Sequence, residues 1–551
     1  MIWNFADLFE TIAARIPDRT ALIDEAGRTS WAAFEDRAAR LASALQNAGV
    51  GKDTKVAIYG QNSSAYVEAQ FAIFKCRAIP INVNYRYVRD ELHYLFENAD
   101  VDAVFYDSQY GPLLAEIRDE LPKLKTFICI DDSHGQGISG SLAFEDLVQA
   151  SARAIPASYA EDDTYMLYTG GTTGMPKGVV YRHSDLITGL LGTMFPPGEP
   201  VTPQILLEQV EASAADNSAP VSFPACPMMH ATGMWMGVFR SHFIGGAVVT
   251  SRSERFDPGH IWRTVEQERV TSMAIVGDAF ARPLLAGLEA EEQAGRHYDL
   301  SSLKAIGSSG VMFSAEVKRG LLRFADVEIR DAIGSTEGSM GSSIVSRTSP
   351  PGPTAQFRLN ATTKVFNDAD EEVVPGSDEI GMIANGGFVP LAYYKDPEKS
   401  ARTFRTIRGK RYSFPGDHAK VAADGTLILL GRGSACINTG GEKVFPEEVE
   451  EVLKSDERVW DALVVGVPDD RFGQKVVAIA SLSPGHQFDA DDLLQKARNS
   501  LAGYKLPRAI LQVDRVKRAE NGKADYGWAR QYAESQLRKP SVSKKEALSR
   551  N

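Results

Sequence analysis

Between residues 31 and 49 the apolar positions Phe34, Ala38, Leu41, Ala42 and Leu45 fall on one helical face, and the pattern stops at Gly49, a residue suited to a C-cap. The period then changes. Lys55-Val-Ala-Ile-Tyr59 is a short apolar run that predicts a strand, followed by a turn at Gly60-Gln-Asn-Ser. Residues 65–76 read as helix, 78–83 as extended chain, 90–98 as helix and 101–106 as strand. Strand–helix–strand alternation at this spacing predicts a largely parallel sheet with helices on its faces. The chain shows no repeat of the length that solenoids require.

A second change comes near 431–434. Residues 425–430 predict a short strand, and Gly431-Arg-Gly-Ser-Ala is small and flexible. Beyond it, helix at 449–453, strands at 462–467 and 475–482, and helix at 491–501 suffice for a compact α+β unit. The expected fold class is a large α/β N-terminal domain with mostly parallel sheets and a small mobile α+β C-terminal domain. The expected limits are 1–432, 433–535 and a flexible polar tail at 536–551.

At 551 residues the chain is too long for one ordinary core. Hydrophobic residues make up 43% and charged residues 24%, the composition of a soluble globular protein. No apolar run is long enough to span a bilayer, and the start lacks the basic region of a signal peptide, so cytoplasm is the expected location. The net charge of −12 argues against a nucleic-acid surface, which needs a basic stripe. Cys76, Cys129, Cys226 and Cys436 have no metal or redox spacing and read as structural.

The strongest local signal is Tyr168-Thr-Gly-Gly-Thr-Thr-Gly-Met-Pro-Lys-Gly-Val179. An apolar lead-in at 165–168 predicts a strand. Thr169, Thr172 and Thr173 then alternate with Gly170, Gly171 and Gly174, and Lys177 closes the turn. Glycine lets backbone approach a ligand closely, successive N–H groups form an anion nest, and lysine adds a point charge. A Walker-type P-loop needs Gly-Lys-Ser/Thr. Pro176 before Lys177 and Gly178 after it exclude that reading.

This string resembles the phosphate loop of the adenylate-forming superfamily, which comprises acyl-CoA synthetases, adenylation domains of peptide synthetases and beetle luciferases. The resemblance continues in order along the chain. Pro227-Met-Met-His-Ala-Thr-Gly233 is similar to the segment that places a histidine, here His230, near the acyl carboxylate. Gly307-Ser-Ser-Gly-Val311 resembles the adenine loop, with Ser309, Gly310 and Val311 at contacting positions. Asp331-Ala332-Ile333-Gly334-Ser335-Thr336-Glu337 resembles the nucleotide motif in which Thr336 contacts phosphate and Glu337 ligates Mg²⁺. Ile333 departs from it, since an aromatic residue usually stands there and stacks on adenine. Asp417 in Phe-Pro-Gly-Asp and Arg432 match ribose contacts, with Pro415 in place of the more frequent threonine.

Ser434 stands at the family's hinge position, usually Asp or Lys. Gly440, Gly441 and Lys443 align with the coenzyme A channel. Lys523, in Ala519-Glu-Asn-Gly-Lys-Ala-Asp525, aligns with the catalytic lysine.

The resemblance implies an AMP-forming acid–CoA ligase. ATP, with Mg²⁺ on Glu337, is held by Thr169, Thr172, Thr173 and Lys177. Lys523 bridges the substrate carboxylate and the α-phosphate, and His230 and Thr169 assist. A small-domain rotation then withdraws the lysine and presents 438–443 to coenzyme A. The partners implied are a small-molecule carboxylic acid and coenzyme A, and a homodimer stays open. The strings 168–179 and 431–443 look most like bacterial synthetases acting on long or bulky acids, including steroid side-chain carboxylates. The acyl pocket is expected between 227–240, 275–283 and 334–341, where Gly233, Gly237, Gly277, Gly338 and Gly341 would leave room; Trp235 reads equally as its gate or as a core residue. An amino-acid adenylation enzyme would need an Asp within 229–245, where Met236 and Phe239 stand instead. Luciferase-type monooxygenation is a lesser alternative. An inactive nucleotide-binding scaffold would have lost Lys523, Glu337 or Asp417, and all three are present.

Overall fold

The computed structural model describes residues 1–537 except 132, 134, 136, 155–157, 170–174, 196–199, 253–255, 352–355, 433–434, 440–441, 470–471, 499, 502 and 519–521, with backbone alone at 356, 432, 438, 442 and 443. The chain divides into two compact units, 1–364 with 384–415 and 365–383 with 416–551; the expected limit at 432/433 lies inside the second.

In the first unit, one sheet runs Ile79–Asn82, Lys55–Tyr59, Val101–Tyr106, Thr126–Cys129 and Leu142–Ala143, every neighbouring pair parallel. A larger sheet is parallel through Thr20–Asp24, Ala247–Val249, Val221–Pro224, Ser272–Ile275, Ala305–Ser309 and Glu328–Ser335, then turns back antiparallel at Gly338–Val345. The predicted alternation of strands and helices is therefore observed. The helix expected from 31 spans Trp31–Asn47, capped by the Ser30 hydroxyl, and buries Phe34, Ala38, Leu41, Ala42 and Leu45 as the periodicity requires. With Phe5–Arg15 and Ser64–Lys75 it builds an aromatic core of Phe5, Phe9, Trp31, Phe34, Phe71 and Phe74. A third, antiparallel sheet of Ala392–Tyr393, Lys177–Arg182 and Thr164–Thr169 carries the ends of the glycine–threonine turn.

In the second unit, Val459–Asp469 and Gly473–Leu482 form a long antiparallel hairpin, with Ile437–Thr439 antiparallel and Ala509–Gln512 parallel beside the second strand. Alternation along the hairpin sorts its faces. Ala462, Val464, Val476, Ala478 and Ala480 pack with residues of helices Pro446–Lys454 and Ala490–Ala497. Leu463, Val465, Val467, Val477 and Ile479 face Ala529 and Ala533 of helix Tyr526–Leu537. Cys76, Cys129 and Cys226 are buried and Cys436 half-buried, and none of the four is in a disulfide. Among the described residues no helix is long and apolar enough to cross a membrane.

Candidate active site

Strands Thr164–Thr169 and Lys177–Arg182 pair antiparallel, with Thr169 directly opposite Lys177, so the signature turn is the tip of a hairpin. Gly170, Gly171, Thr172, Thr173 and Gly174 lie outside the described residues. Gly178 is required by packing: a Cβ there would stand 2.6 Å from Met166 Sδ. Asn82 fixes the near end of the turn. It accepts from Tyr168 N at 2.7 Å and donates to Tyr168 O at 2.9 Å and to Met229 O at 2.7 Å. Asn62 does the same for the next segment, donating to Pro224 O and Cys226 O and accepting from Met228 N at 2.8 Å. Asn82, at the end of a parallel strand, joins the glycine–threonine hairpin to the His230 segment, and Asn62, just past the neighbouring strand, fixes the chain that leads into that segment. Sequence reading saw them as turn and strand residues only.

His230 closes a turn whose N–H donates to Pro227 O at 3.2 Å, and the chain then enters a π-helix, Thr232–Phe239. Such wide helices are rare and concentrate at functional sites. Trp235 is a core residue. It is buried, its Nε1 donates to Tyr165 Oη at 3.2 Å, and it packs edge-on against Tyr181.

Ser309 ends its strand, donating to Ala332 O at 2.9 Å, and Gly310 takes φ +98°, a conformation that favours glycine. Val311 is half-buried beside it, and Ala332, Ile333, Gly334 and Ser335 form the half-buried end of the next strand. Asp331 points elsewhere. Its carboxylate is buried and accepts from Lys318 Nζ at 2.7 Å, with burial pushing its pKa up against the pull of that lysine. Thr336 and Glu337 are the two central residues of a hairpin turn, since Ser335 pairs with Gly338. Both tip carbonyls are held: Tyr181 Oη donates to Thr336 O at 3.0 Å, and Ser413 Oγ to Glu337 O at 2.8 Å.

The Glu337 carboxylate accepts from Tyr393 Oη at 2.5 Å. The same tyrosine ring lies beneath two cations, Lys177 Nζ at 5.9 Å and Lys399 Nζ at 5.1 Å from its centroid. Lys177 pairs with Asp396 Oδ2 at 2.5 Å, holding that carboxyl below its usual range, and the other Asp396 oxygen accepts from Lys399 N at 3.0 Å. One tyrosine thus joins the phosphate-turn lysine to the metal-ligand candidate. Tyr393 and Asp396 were missed in the sequence. Among the described residues no cluster of three metal-ligating side chains occurs. A single carboxylate such as Glu337 fits Mg²⁺, which takes most of its ligands from substrate phosphates and water.

In the second unit, Asp417 stands directly opposite Arg432 across an antiparallel pair, so the two ribose candidates share one sheet position. Lys443 lies on strand Glu442–Val444, opposite Asn438. Ser434, Gly440 and Gly441, with the tail from 538, lie outside the described residues. Lys523 lies between Gly522, at φ +77°, and Ala524, which bridges to Arg518.

The expectation that glycines open an acyl pocket is corrected. A Cβ at Gly233 would meet Pro227 O at 2.3 Å, at Gly237 Pro224 Cβ at 2.6 Å, at Gly277 Met312 O at 2.3 Å, at Gly338 Asn385 Nδ2 at 2.3 Å and at Gly341 Arg358 O at 2.6 Å. These glycines admit neighbouring chain, not ligand. A cavity lined in part by Met228 and Met234 measures about 10 Å³, the space of one water.

The model of the AMP-binding enzyme family matches residues 9–389, and that of the AMP-binding enzyme C-terminal domain matches 448–523. The chain belongs to the AMP-binding enzyme family. It is 43% identical to a 3-oxocholest-4-en-26-oate–CoA ligase of Rhodococcus rhodochrous, over 96% of both chains. It is 41% identical to a medium/long-chain-fatty-acid–CoA/3-oxocholest-4-en-26-oate–CoA ligase of Mycolicibacterium smegmatis, over 97% of both. Its fold is that of the anthranilate CoA ligase AuaEII in complex with anthranoyl-AMP (TM-score 0.83, 22% identity, 97% of this chain and 98% of that one). ATP-bound MatB from Rhodopseudomonas palustris is also similar (TM-score 0.80, 23% identity, 96% and 99%). The expected superfamily, its fold class and an acyl-CoA ligase as enzyme class are all borne out.

Proposed function

We propose that this member of the family joins a medium- or long-chain, or a bulky steroid side-chain-like, carboxylic acid to coenzyme A through an acyl-adenylate. The observation that supports the reading is the convergence of Lys177 and Glu337 on Tyr393, a cation suited to phosphate and a carboxylate suited to Mg²⁺ around one ring. The acid class rests on relatives whose length this chain matches almost throughout.

A carboxylate is a poor acyl donor because oxide would have to leave. Attack of its oxygen on the α-phosphorus of ATP expels pyrophosphate and turns that oxygen into part of the leaving group AMP. The thiolate of coenzyme A then attacks the acyl carbon, and AMP departs. Catalysis here is positioning and charge neutralisation. We assign Lys177, Thr169, Thr172 and Thr173 to the β- and γ-phosphates, with Gly170, Gly171 and Gly174 giving access to backbone N–H groups. Glu337 would hold Mg²⁺, whose charge offsets that of the triphosphate. Ser309, Gly310, Val311, the 332–335 strand end and Thr336 of the turn are assigned to the nucleotide, Asp417 and Arg432 to ribose, and His230 to the acyl carboxylate. Lys523 holds carboxylate and α-phosphate together, two anions that otherwise repel. Gly440, Gly441 and Lys443 serve coenzyme A, and Ser434 the rotation between steps.

Pyrophosphate release should be measured with fatty acids of graded length, a steroid side-chain acid and amino acids, with and without coenzyme A. Coenzyme A-dependent turnover of long or bulky acids is expected. Turnover of amino acids instead, or no pyrophosphate with any acid, would overturn the reading.

A further inference from the structure

We propose that Arg518, seated on Asp461, is the positioning residue that sets the loop carrying Lys523. This rests on Lys523 being the lysine of the adenylation step.

The guanidinium makes a two-pronged bond to Asp461, Nε to Oδ2 at 2.6 Å and a terminal nitrogen to Oδ1 at 2.7 Å. Its remaining terminal nitrogen donates to the carbonyl of Gly522 at 3.2 Å, the residue immediately before Lys523. Immediately after Lys523, Ala524 forms an antiparallel bridge with the backbone of Arg518 itself. One residue thus holds the chain on both sides of the lysine. Asp461 lies on the long hairpin strand Val459–Asp469, just past the irregularity in its register, and its Oδ1 also accepts from Ala462 N at 2.8 Å. The anchor is therefore the sheet, not another loop. Both side chains are less than one-fifth exposed. Burial works against the Asp461 charge, but the arginine more than offsets it and holds the carboxyl below its usual range. One further residue along, Asp525 caps helix Tyr526–Leu537 by accepting from Trp528 N at 2.9 Å.

Without the guanidinium, Gly522 would be the weak point of this loop. It sits at φ +77° and has the widest conformational choice of any residue. A lysine that must touch two anions tolerates little wandering, because a misplacement of about 1 Å can cost about 10²-fold in rate. Lysine cannot replace Arg518: a single ammonium lacks the planar fork that grips Asp461 twice and still reaches the Gly522 carbonyl.

The test separates the two half-reactions in the full chain. Acyl-adenylate formation is followed as pyrophosphate release, and thioester formation is followed from supplied acyl-adenylate plus coenzyme A. For Arg518→Ala, adenylation kcat is expected to fall about 10²-fold with the KM for ATP little changed, while thioester formation stays within about twofold. Arg518→Lys, which keeps the ion pair, should fall between this and the parent. Lys523→Ala is run beside them. Adenylation surviving in Lys523→Ala would defeat the underlying reading. Adenylation lost in Lys523→Ala but intact in both Arg518 variants would defeat this proposal alone. Equal losses in both half-reactions, with a lowered unfolding midpoint in Arg518→Lys as well, would also overturn it, since that outcome marks a purely structural pair.

Discussion

Two lysine–aspartate pairs of the first unit, Lys177 with Asp396 and Lys318 with Asp331, differ sharply in their surroundings. Lys177 and Asp396 meet at 2.5 Å with about 30% of each side chain exposed. Lys318 and Asp331 meet at 2.7 Å with 4% and 6% exposed. The open pair can exchange its partner. Under the proposed function, a phosphate oxygen arriving at Lys177 would replace the Asp396 oxygen, and water would take up the carboxylate released. The sealed pair is cut off from solvent, so either charge left alone would be buried without water to replace its partner. The same two residue types therefore make an exchangeable pair where solvent reaches them and a sealed pair where it does not. Environment decides, not chemistry.

The largest effect expected from this contrast is at the sealed pair. Lys318→Met leaves Asp331 buried without its cation and should cost about 3–5 kcal/mol of stability, whereas Lys318→Met with Asp331→Leu should recover most of it. Urea unfolding of the single and double variants measures the difference. If the single variant cost less than about 1 kcal/mol, the sealed pair would be no structural pin.

Next in size is acid sensitivity from cations that the core refuses altogether. His183 and His242 are buried, and burial pushes each pKa down to about 4. Below the ordinary value near 6.5 the unfolded chain takes up protons that the folded chain declines, so stability falls as pH drops from about 6.5 towards 4. Each contributes roughly 3 kcal/mol over that window. Replacing His242 by Gln should flatten this part of the stability–pH curve relative to the parent. Parallel curves would show that burial does not hold His242 neutral.

How much of this was legible beforehand depended on distance along the chain. The phosphate turn is one local string, and Thr169 and Lys177 end up facing each other because a hairpin brings neighbours together. In the second unit the long hairpin strands and the helices at 446–454 and 490–497 were legible, whereas its limit was not, since 365–383 and 416–432 belong to it as well. Tyr393 and Asp396 could not be read, since they meet Glu337 and Lys177 across 56 and 219 positions. Asp331 sits in the nucleotide motif, yet only the structure shows its side chain turned towards Lys318. The glycines misled in a specific way. A missing side chain looks like space in a sequence, but Gly233 and Gly277 are filled by carbonyl oxygens of neighbouring chain.

At the open pair the prediction runs the other way from the sealed one. Lys177→Ala should change stability by less than about 1 kcal/mol, because partly exposed ion pairs contribute little. Its adenylation rate should nevertheless fall about 10²-fold, the scale of one lost charge-stabilising group. Pyrophosphate release and urea unfolding on the same preparation settle it. Unchanged adenylation would remove Lys177 from the phosphate site.

The smallest expected effect tests what joins the open pair to the metal-ligand candidate. Tyr393→Phe deletes only the hydroxyl that donates to Glu337 at 2.5 Å and keeps the ring under Lys177 and Lys399. If the hydroxyl fixes the carboxylate where Mg²⁺ is needed, half-saturation by Mg²⁺ should rise about tenfold, equivalent to about 1.4 kcal/mol. Adenylation at saturating Mg²⁺ should stay within a few-fold of the parent. Calorimetric titration of Mn²⁺ into the protein with a non-hydrolysable ATP analogue reads the same change without turnover. A variant that binds Mn²⁺ normally yet turns over slowly would assign the phenol to the phosphate side of the site, and the tyrosine would then belong with Lys177 and not with Glu337.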